Sequence, residues 1–260
     1  MNIAPLAWRW LLLWALMGSE AMGNLGMRKL IVAGGAMPPK GVKVLRAWVM
    51  LLALAFPLTL TAPITSTANA EELSQEQVEL FEGVAAFRNG DHQMALDKWH
   101  PLADQGNAIA QLLLGNMYQF SDGEFYDLQK AAWFYRLSAN QGNAFAQFSL
   151  GWLYENGEGV ITDKNEAVRL YSLAAKQKHA KAQHNLGIMY GIGEGVFQDL
   201  EKSYMWLILA AVNGAENASE ARDLVKKQML LNSSLGPAAV KRAEKAARRC
   251  YDSNYQDCGS

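Results

Sequence analysis

The sequence predicts an all-α protein built as a solenoid of antiparallel helix pairs, with about ten helices after residue 70. Three observations predict it. Motifs recur at an offset of 36 residues through most of the chain beyond Glu71, which is the signature of stacked supersecondary units. Within each period, small and apolar residues fall three, four and seven apart, the spacing of one helical face. Glycine-rich turns and aspartates recur where a helix pair must reverse and restart.

The chain has 260 residues, is 50% hydrophobic and carries a formal net charge of −1. That balance is uneven. Six Lys+Arg and one Glu precede Glu71, a net of +5, and the other 18 Lys+Arg and 24 Asp+Glu give −6. A mildly acidic chain from Glu71 onward presents no field for nucleic acid or anionic lipid, so nucleic acid is not expected as a partner.

Residues 37–70 read as a signal peptide. Lys40, Lys43 and Arg46 form a basic start, and Ala47 to Ala62 is an apolar run broken only by Pro57 and threonines. Ala68 and Ala70 supply the small residues at the −3 and −1 positions of a cleavage between Ala70 and Glu71. The run is shorter than the roughly 20 apolar residues of a membrane span, so no stable membrane insertion is expected after cleavage. The exported chain would be periplasmic or secreted. Residues 1–36 hold a short apolar stretch, Trp8 to Met17, with Arg9 inside it, and read as an extension from a start placed too early. The alternatives are a start at Met27 or an atypical leader.

The segment 71–250 carries the repeat. Gln105-Gly106-Asn107-Ala108 returns as Gln141-Gly142-Asn143-Ala144 and, more loosely, as Gln177-Lys178-His179-Ala180. Leu114-Gly115, Leu150-Gly151 and Leu186-Gly187 recur, followed by Tyr118, Tyr154 and Tyr190. Asp91, Asp127, Asp163 and Asp199 keep the same spacing, as do Trp99, Tyr135 and Tyr171. In the first helix of a unit, Ala108, Gln111, Leu114, Gly115 and Tyr118 make one face, with small residues admitting a close neighbour. The second helix starts at the repeated aspartate, whose carboxylate can accept from free backbone N–H groups, and Asp163 with Glu166 spells a capping box. Ala131, Tyr135, Ser138 and Ala139 form its buried stripe, and Gly142 ends it in the left-handed conformation. Lys178 stands where that glycine is expected, at a cost of about 1 kcal/mol. Between the helices, Asn156-Gly-Glu-Gly-Val160 and Gly191-Ile-Gly-Glu-Gly-Val196 read as tight turns with positive φ. They lack the preceding strand that a nucleotide-binding glycine run needs.

The patterns A-x-A-Q-x-x-L-G-x-x-Y, G-x-G-V-x-x-D, A-x-x-x-Y and A-A, from about Gly83 to Arg249, resemble the Sel1-like repeat family, which is related to tetratricopeptide repeats. Ser203-Tyr-Met-Trp206 with Ala210-Ala211 looks like the family's last second helix. Ala221-Arg222-Asp223 and the segment ending at Cys250 look like its capping helices. The resemblance implies a right-handed solenoid used as a protein-interaction scaffold. Two places depart from it: the turn at 119–126 has Ser121 for a glycine and Glu124 for the valine, and the first unit has a shorter, tetratricopeptide-like turn at Asn89-Gly90-Asp91.

No catalytic, cofactor-binding or metal-binding residue emerges. His179 and His184 are five apart, off any one helical face, and His92 and His100 have no partnering carboxylate motif. No G-x-S-x-G elbow occurs. Some cysteine-rich relatives have been linked to β-lactam binding or hydrolysis, which makes a β-lactamase-like or cell-wall-related hydrolase or binding protein the rival reading. Those relatives place cysteine pairs in every repeat, and this chain has none there. Its only cysteines, Cys250 and Cys258, suit a disulfide that closes the tail at 251–260, since their spacing is not that of a redox or metal pair. Lys241, Arg242, Lys245, Arg248 and Arg249 form a basic stripe on the last helix, as the polar outer face of a terminal helix.

The expected function is therefore a non-enzymatic scaffold or regulator in the bacterial envelope, a monomer without cofactor that binds a protein partner. On the first helix of the middle unit, the arc opposite the repeat residues carries Phe145, Phe148, Ser149 and Trp152. Solenoids of helix pairs line their concave surface with such helices, so these four, with Asn116 and Asn185 at equivalent positions, are the candidate partner-binding residues.

Overall fold

A computed structural model describes residues 73–258. The expected extension, the signal segment and the cleavage site between Ala70 and Glu71 lie outside the described residues. Within them the chain forms ten α-helices and no strand. They are α1 (Gln75–Arg88), α2 (His92–Asp104), α3 (Ala108–Phe120), α4 (Leu128–Asn140), α5 (Ala144–Asn156), α6 (Lys164–Lys176), α7 (Ala180–Ile192), α8 (Leu200–Val212), α9 (Ala218–Leu231) and α10 (Gly236–Asp252). None is long and apolar enough to cross a membrane.

Helices pair in chain order, α1 with α2, α3 with α4, α5 with α6 and α7 with α8, and each pair packs on the next. In the first three pairs the contact is a glycine against a large ring, and in the fourth Gly187 meets Leu207. A Cβ at Gly115 would lie 2.5 Å from the Tyr135 ring, and one at Gly151 would lie 3.0 Å from the Tyr171 ring. The leucine–glycine pairs and the aromatics thus recur together because each makes room for the other. Tyr135 and Tyr171 are fully buried. A buried aromatic of this size dominates the local core.

The repeated glutamine holds successive pairs in register. Gln111 Nε2 donates to the Ala103 carbonyl at 3.0 Å, while its Oε1 accepts from Gln141 Nε2 at 2.7 Å. Gln147 repeats this with Ala139 and Gln177. Gln183 repeats it again with Ala175 and with Asn213 Nδ2. All three glutamines are buried, so both ends of each amide must find partners inside the protein. The two sequence motifs Ala-x-Ala-Gln and Gln-Gly-Asn are therefore halves of one polar ladder.

Asp91, Asp127, Asp163 and Asp199 cap α2, α4, α6 and α8 by accepting from backbone N–H groups of the first turn. The Asp127 carboxyl is held below its ordinary range, first by the Lys130 backbone N–H. The capping box expected at Asp163 is only half formed. Asp163 accepts from Glu166 N, but the Glu166 side chain turns to Arg169, at 2.6 and 2.7 Å. The complete box lies at α1, between Ser74 and Gln77. In the first unit the turn between α1 and α2 is four residues shorter, so Gly83, which meets Trp99, stands 32 residues before Gly115 rather than 36.

At the other end α9 and α10 cover α8. Cys250 and Cys258 are disulfide-bonded, and the closed tail buries Tyr255. The Tyr255 hydroxyl accepts from Asn213 Nδ2 at 2.7 Å, which ends the glutamine ladder. Lys178 adopts the expected left-handed conformation, with φ of 66°, and its Nζ lies 5.5 Å from the centre of the Tyr255 ring. A cation over a ring offsets part of the backbone cost of a non-glycine residue there. The basic stripe of α10 is partly neutralised, because Arg242 pairs with Glu201 and Arg249 with Asp257.

Candidate partner-binding surface

The candidate residues lie on α3, α5 and α7, the first helices of three successive pairs. They divide into two groups. Asn116, Ser149 and Asn185 lie beside the buried tyrosine hydroxyls. Tyr135 donates toward Asn116 Oδ1 at 2.8 Å and Gln119 Oε1 at 2.6 Å, and Ser149 also bonds this hydroxyl. Tyr171 donates to Glu155 Oε2 at 2.6 Å and is also bonded by Asn185. Burial raises the pKa of both phenols, and the Glu155 carboxylate adds to the rise at Tyr171, so neither ionises at neutral pH. Each half-buried polar side chain on this arc thus has an internal task as well as an exposed edge. Gln119 and Glu155 belong to the same network. The sequence showed their polarity but not that a phenol from the next helix reaches them.

The aromatics form the second group. Trp152 is half-buried and touches the core on both sides, so it fills the seam between pairs. Phe148 is half-buried and stacks on His179, centroids 4.7 Å apart, with the Tyr171 ring at 5.7 Å. Phe145 remains 63% exposed while its ring meets the same imidazole edge-on at 5.0 Å. An exposed aromatic held by its neighbours has already lost much of the freedom that binding would cost.

His179 has no metal-site partner in the sequence, and the structure gives it a different task. It caps α7, where Asn107 and Asn143 cap α3 and α5, with Nδ1 accepting from Ala182 N at 3.2 Å. Burial first, then the Lys181 charge, lowers its pKa to about 4. The folded state therefore holds a neutral imidazole where the unfolded chain, titrating near 6.5, binds a proton. Stability is present above about pH 6.5 and falls as pH drops toward 4. We expect this residue to account for about 1–2 kcal/mol of that loss, a figure reduced because water still screens part of the ring. His179→Asn keeps the cap and removes this contribution. Denaturant melts of both proteins at pH 7 and pH 4.5 check it, since the parent must lose about 1–2 kcal/mol more than the variant between the two pH values.

No group of three or more His, Cys, Asp or Glu among the described residues could hold a metal ion.

A family model described as the Sel1 repeat matches residues 108–143, 144–179 and 180–214, the three units that the glutamine ladder joins. No curated protein matches the chain significantly. Solved structures do. A protective antigen present in uropathogenic Escherichia coli strains, displaying an SLR fold, is 30% identical over 63% of this chain, with a TM-score of 0.55. The match spans only 33% of that antigen's chain. A Sel1 repeat protein from Oxalobacter formigenes is 27% identical over 68% of this chain and 72% of its own, with a TM-score of 0.54. Such repeats commonly serve as protein-interaction scaffolds. The repeats, the helix-pair architecture and the solved structures agree: the chain carries three Sel1 repeats within an all-α solenoid of ten helices among the described residues.

Proposed function

We propose that this protein is a non-enzymatic scaffold or regulator of the bacterial cell envelope, which binds a protein partner across α3, α5 and α7 as a monomer. The observation that carries this reading is Phe145, exposed yet fixed against His179 beside Phe148. Aromatic anchors set in a polar surround are the usual hot spots of protein interfaces. Asn116, Ser149 and Asn185 supply the polar surround, and Trp152 the seam behind it. Export follows from the signal reading of residues 37–70 with cleavage between Ala70 and Glu71. A disulfide in the tail is compatible with an oxidising compartment.

The test is a pull-down from envelope extract with the full chain as bait, followed by affinity measurement on the purified partner. Phe145→Ala should weaken binding by about 2 kcal/mol, or some 30-fold, without changing the thermal midpoint. An unchanged affinity removes this surface from the account. Trp152→Ala is unsuitable alone, because that ring also supports the core.

A further inference from the structure

A second surface lies along the edge where each helix pair reverses. The turns 121–127, 157–163 and 193–199 follow one another along it, and the second and third each pack on the unit before through a glycine. A Cβ at Gly159 would meet the Leu128 carbonyl oxygen at 2.2 Å, and one at Gly195 the Lys164 carbonyl oxygen at 2.3 Å. The turns 157–163 and 193–199 therefore each rest on the start of the preceding pair's second helix. Along this stacked edge the side chains serve the fold poorly. Ile161 is 91% exposed and Phe197, at the same place in the next unit, is 97% exposed. Exposed apolar residues are ordinary singly, but repetition at one position of successive units makes a row.

The edge is also strongly one-signed. The three turns contain seven carboxylates and no lysine or arginine. Asp127, Asp163 and Asp199 are engaged as helix caps, and Glu194 pairs with Lys164 at 2.7 Å. Asp122, Glu124 and Glu158 form no salt bridge with another described residue. Two of these three belong to the turn that departs from the repeat pattern. There Phe125, one residue after Glu124, packs toward the core against His92, as Val160 and Val196 do in the later turns. A cleft of about 530 Å³ opens at this turn, lined by Phe120, Ser121, Asp122 and Tyr126. Phe120 and Tyr126 are largely exposed, whereas Ser121 is 5% exposed and its hydroxyl has no hydrogen-bond partner among the described residues. Aromatic faces, a free carboxylate and an unsatisfied hydroxyl oxygen share one chemistry: they accept a cation bearing N–H donors.

We propose that this edge is a second docking surface, which takes an extended partner segment with a basic side chain seated in the cleft at 120–126 and apolar side chains on Ile161 and Phe197. The spacing is set by the fold. The later turns pack directly on the unit before them, and elements packed in this way lie about 8–10 Å apart, close to three residues of extended chain. The segment therefore carries its basic residue three and six positions from its two apolar ones. The surface is separate from the one built on Phe145 and does not depend on it.

The probe is a fluorescent heptapeptide amide, Lys-Thr-Ser-Leu-Thr-Ser-Leu, with its reversed sequence and a control bearing Glu for Lys, titrated against the full chain. One direction should bind saturably with a Kd below about 1 mM. The Glu peptide and rising salt should each weaken it by about tenfold or more. D122N with E124Q, and separately Ile161→Ser with Phe197→Ser, should each weaken it at least about fivefold. All four positions are on turns, and unchanged circular dichroism confirms that the variants fold. Phe145→Ala should bind as the parent does. The proposal is overturned if neither direction binds, if the Lys and Glu peptides bind alike, if the turn variants bind like the parent, or if Phe145→Ala loses binding equally.

Discussion

Tyr171→Ala is expected to cost about 4 kcal/mol of folding stability, the largest loss from any single substitution considered. The ring is fully buried between α5 and α6 and pressed on Gly151, so its removal leaves a cavity in the core. Its hydroxyl bonds Glu155 at 2.6 Å, so truncation also strips a partner from a half-buried carboxylate. Whole-domain stabilities run at about 5–15 kcal/mol, and this loss would consume a large part of such a margin. Tyr171→Phe keeps the packing and should cost only about 1 kcal/mol. Urea unfolding followed by circular dichroism measures both. A difference between them under about 1 kcal/mol would mean that the ring is not the wedge described.

Gly159→Ala is the second large effect, expected at about 3 kcal/mol or more. Two causes act together. The residue has φ of 68°, where a side chain costs about 1 kcal/mol, and its Cβ would lie 2.2 Å from a backbone oxygen of Leu128. A carbonyl cannot rotate aside as a side chain can, so the turn must lift from the unit beneath it. Gly106→Ala is the control. It has φ of 92° but nothing within 4 Å of the added methyl, and should cost about 1 kcal/mol. Equal losses at the two sites would show that only the backbone conformation matters, and that the turns do not rest on one another.

The repeat was legible because each of its residues has a reason that recurs every unit. Glycine admits a ring, aspartate caps, and alanine lets helices approach, so the spacing of these residues in the sequence already states the packing. The glutamines were visible as a motif, but not as a ladder, because their partners are a side chain at a helix end 30 residues on and a carbonyl 8 residues back. The divergent first unit was seen as a short turn. Its consequence, a four-residue shift of α1, follows only from Gly83 meeting Trp99. Glu166 shows a limit of motif reading: the capping-box spelling is present, but Arg169 offers the carboxylate a charged partner on the same face.

The surface was less legible than the core, and for a physical reason. A helical wheel separates the buried arc from its opposite, yet solenoid helices are contacted from two sides. Phe148 and Trp152 therefore sit partly in seams, while Phe145 does not. His179 illustrates the same point, since its place in the repeat is that of a capping asparagine and its burial comes from two phenylalanines of the preceding unit. The turn at 119–126 was recognisable only as a departure from pattern. What it builds depends on Phe125 turning inward and leaving Ser121, Asp122 and Tyr126 around a cleft.

The central claim is that the chain is a stack of interchangeable 36-residue units joined in register, and deleting one whole unit tests it most directly. Removal of residues 144–179 joins Asn143 to Ala180, leaves Gln183 to donate to the Ala139 carbonyl in place of that of Ala175, and keeps the Asn213 and Tyr255 end of the ladder. The account predicts a shorter protein with undiminished helicity per residue and a single cooperative melt, since solenoid stability is a sum over units and their interfaces. It also predicts that removal of 18 residues, half a unit, abolishes that melt. A full-unit deletion that fails to fold, or a half-unit deletion that folds equally well, would contradict it.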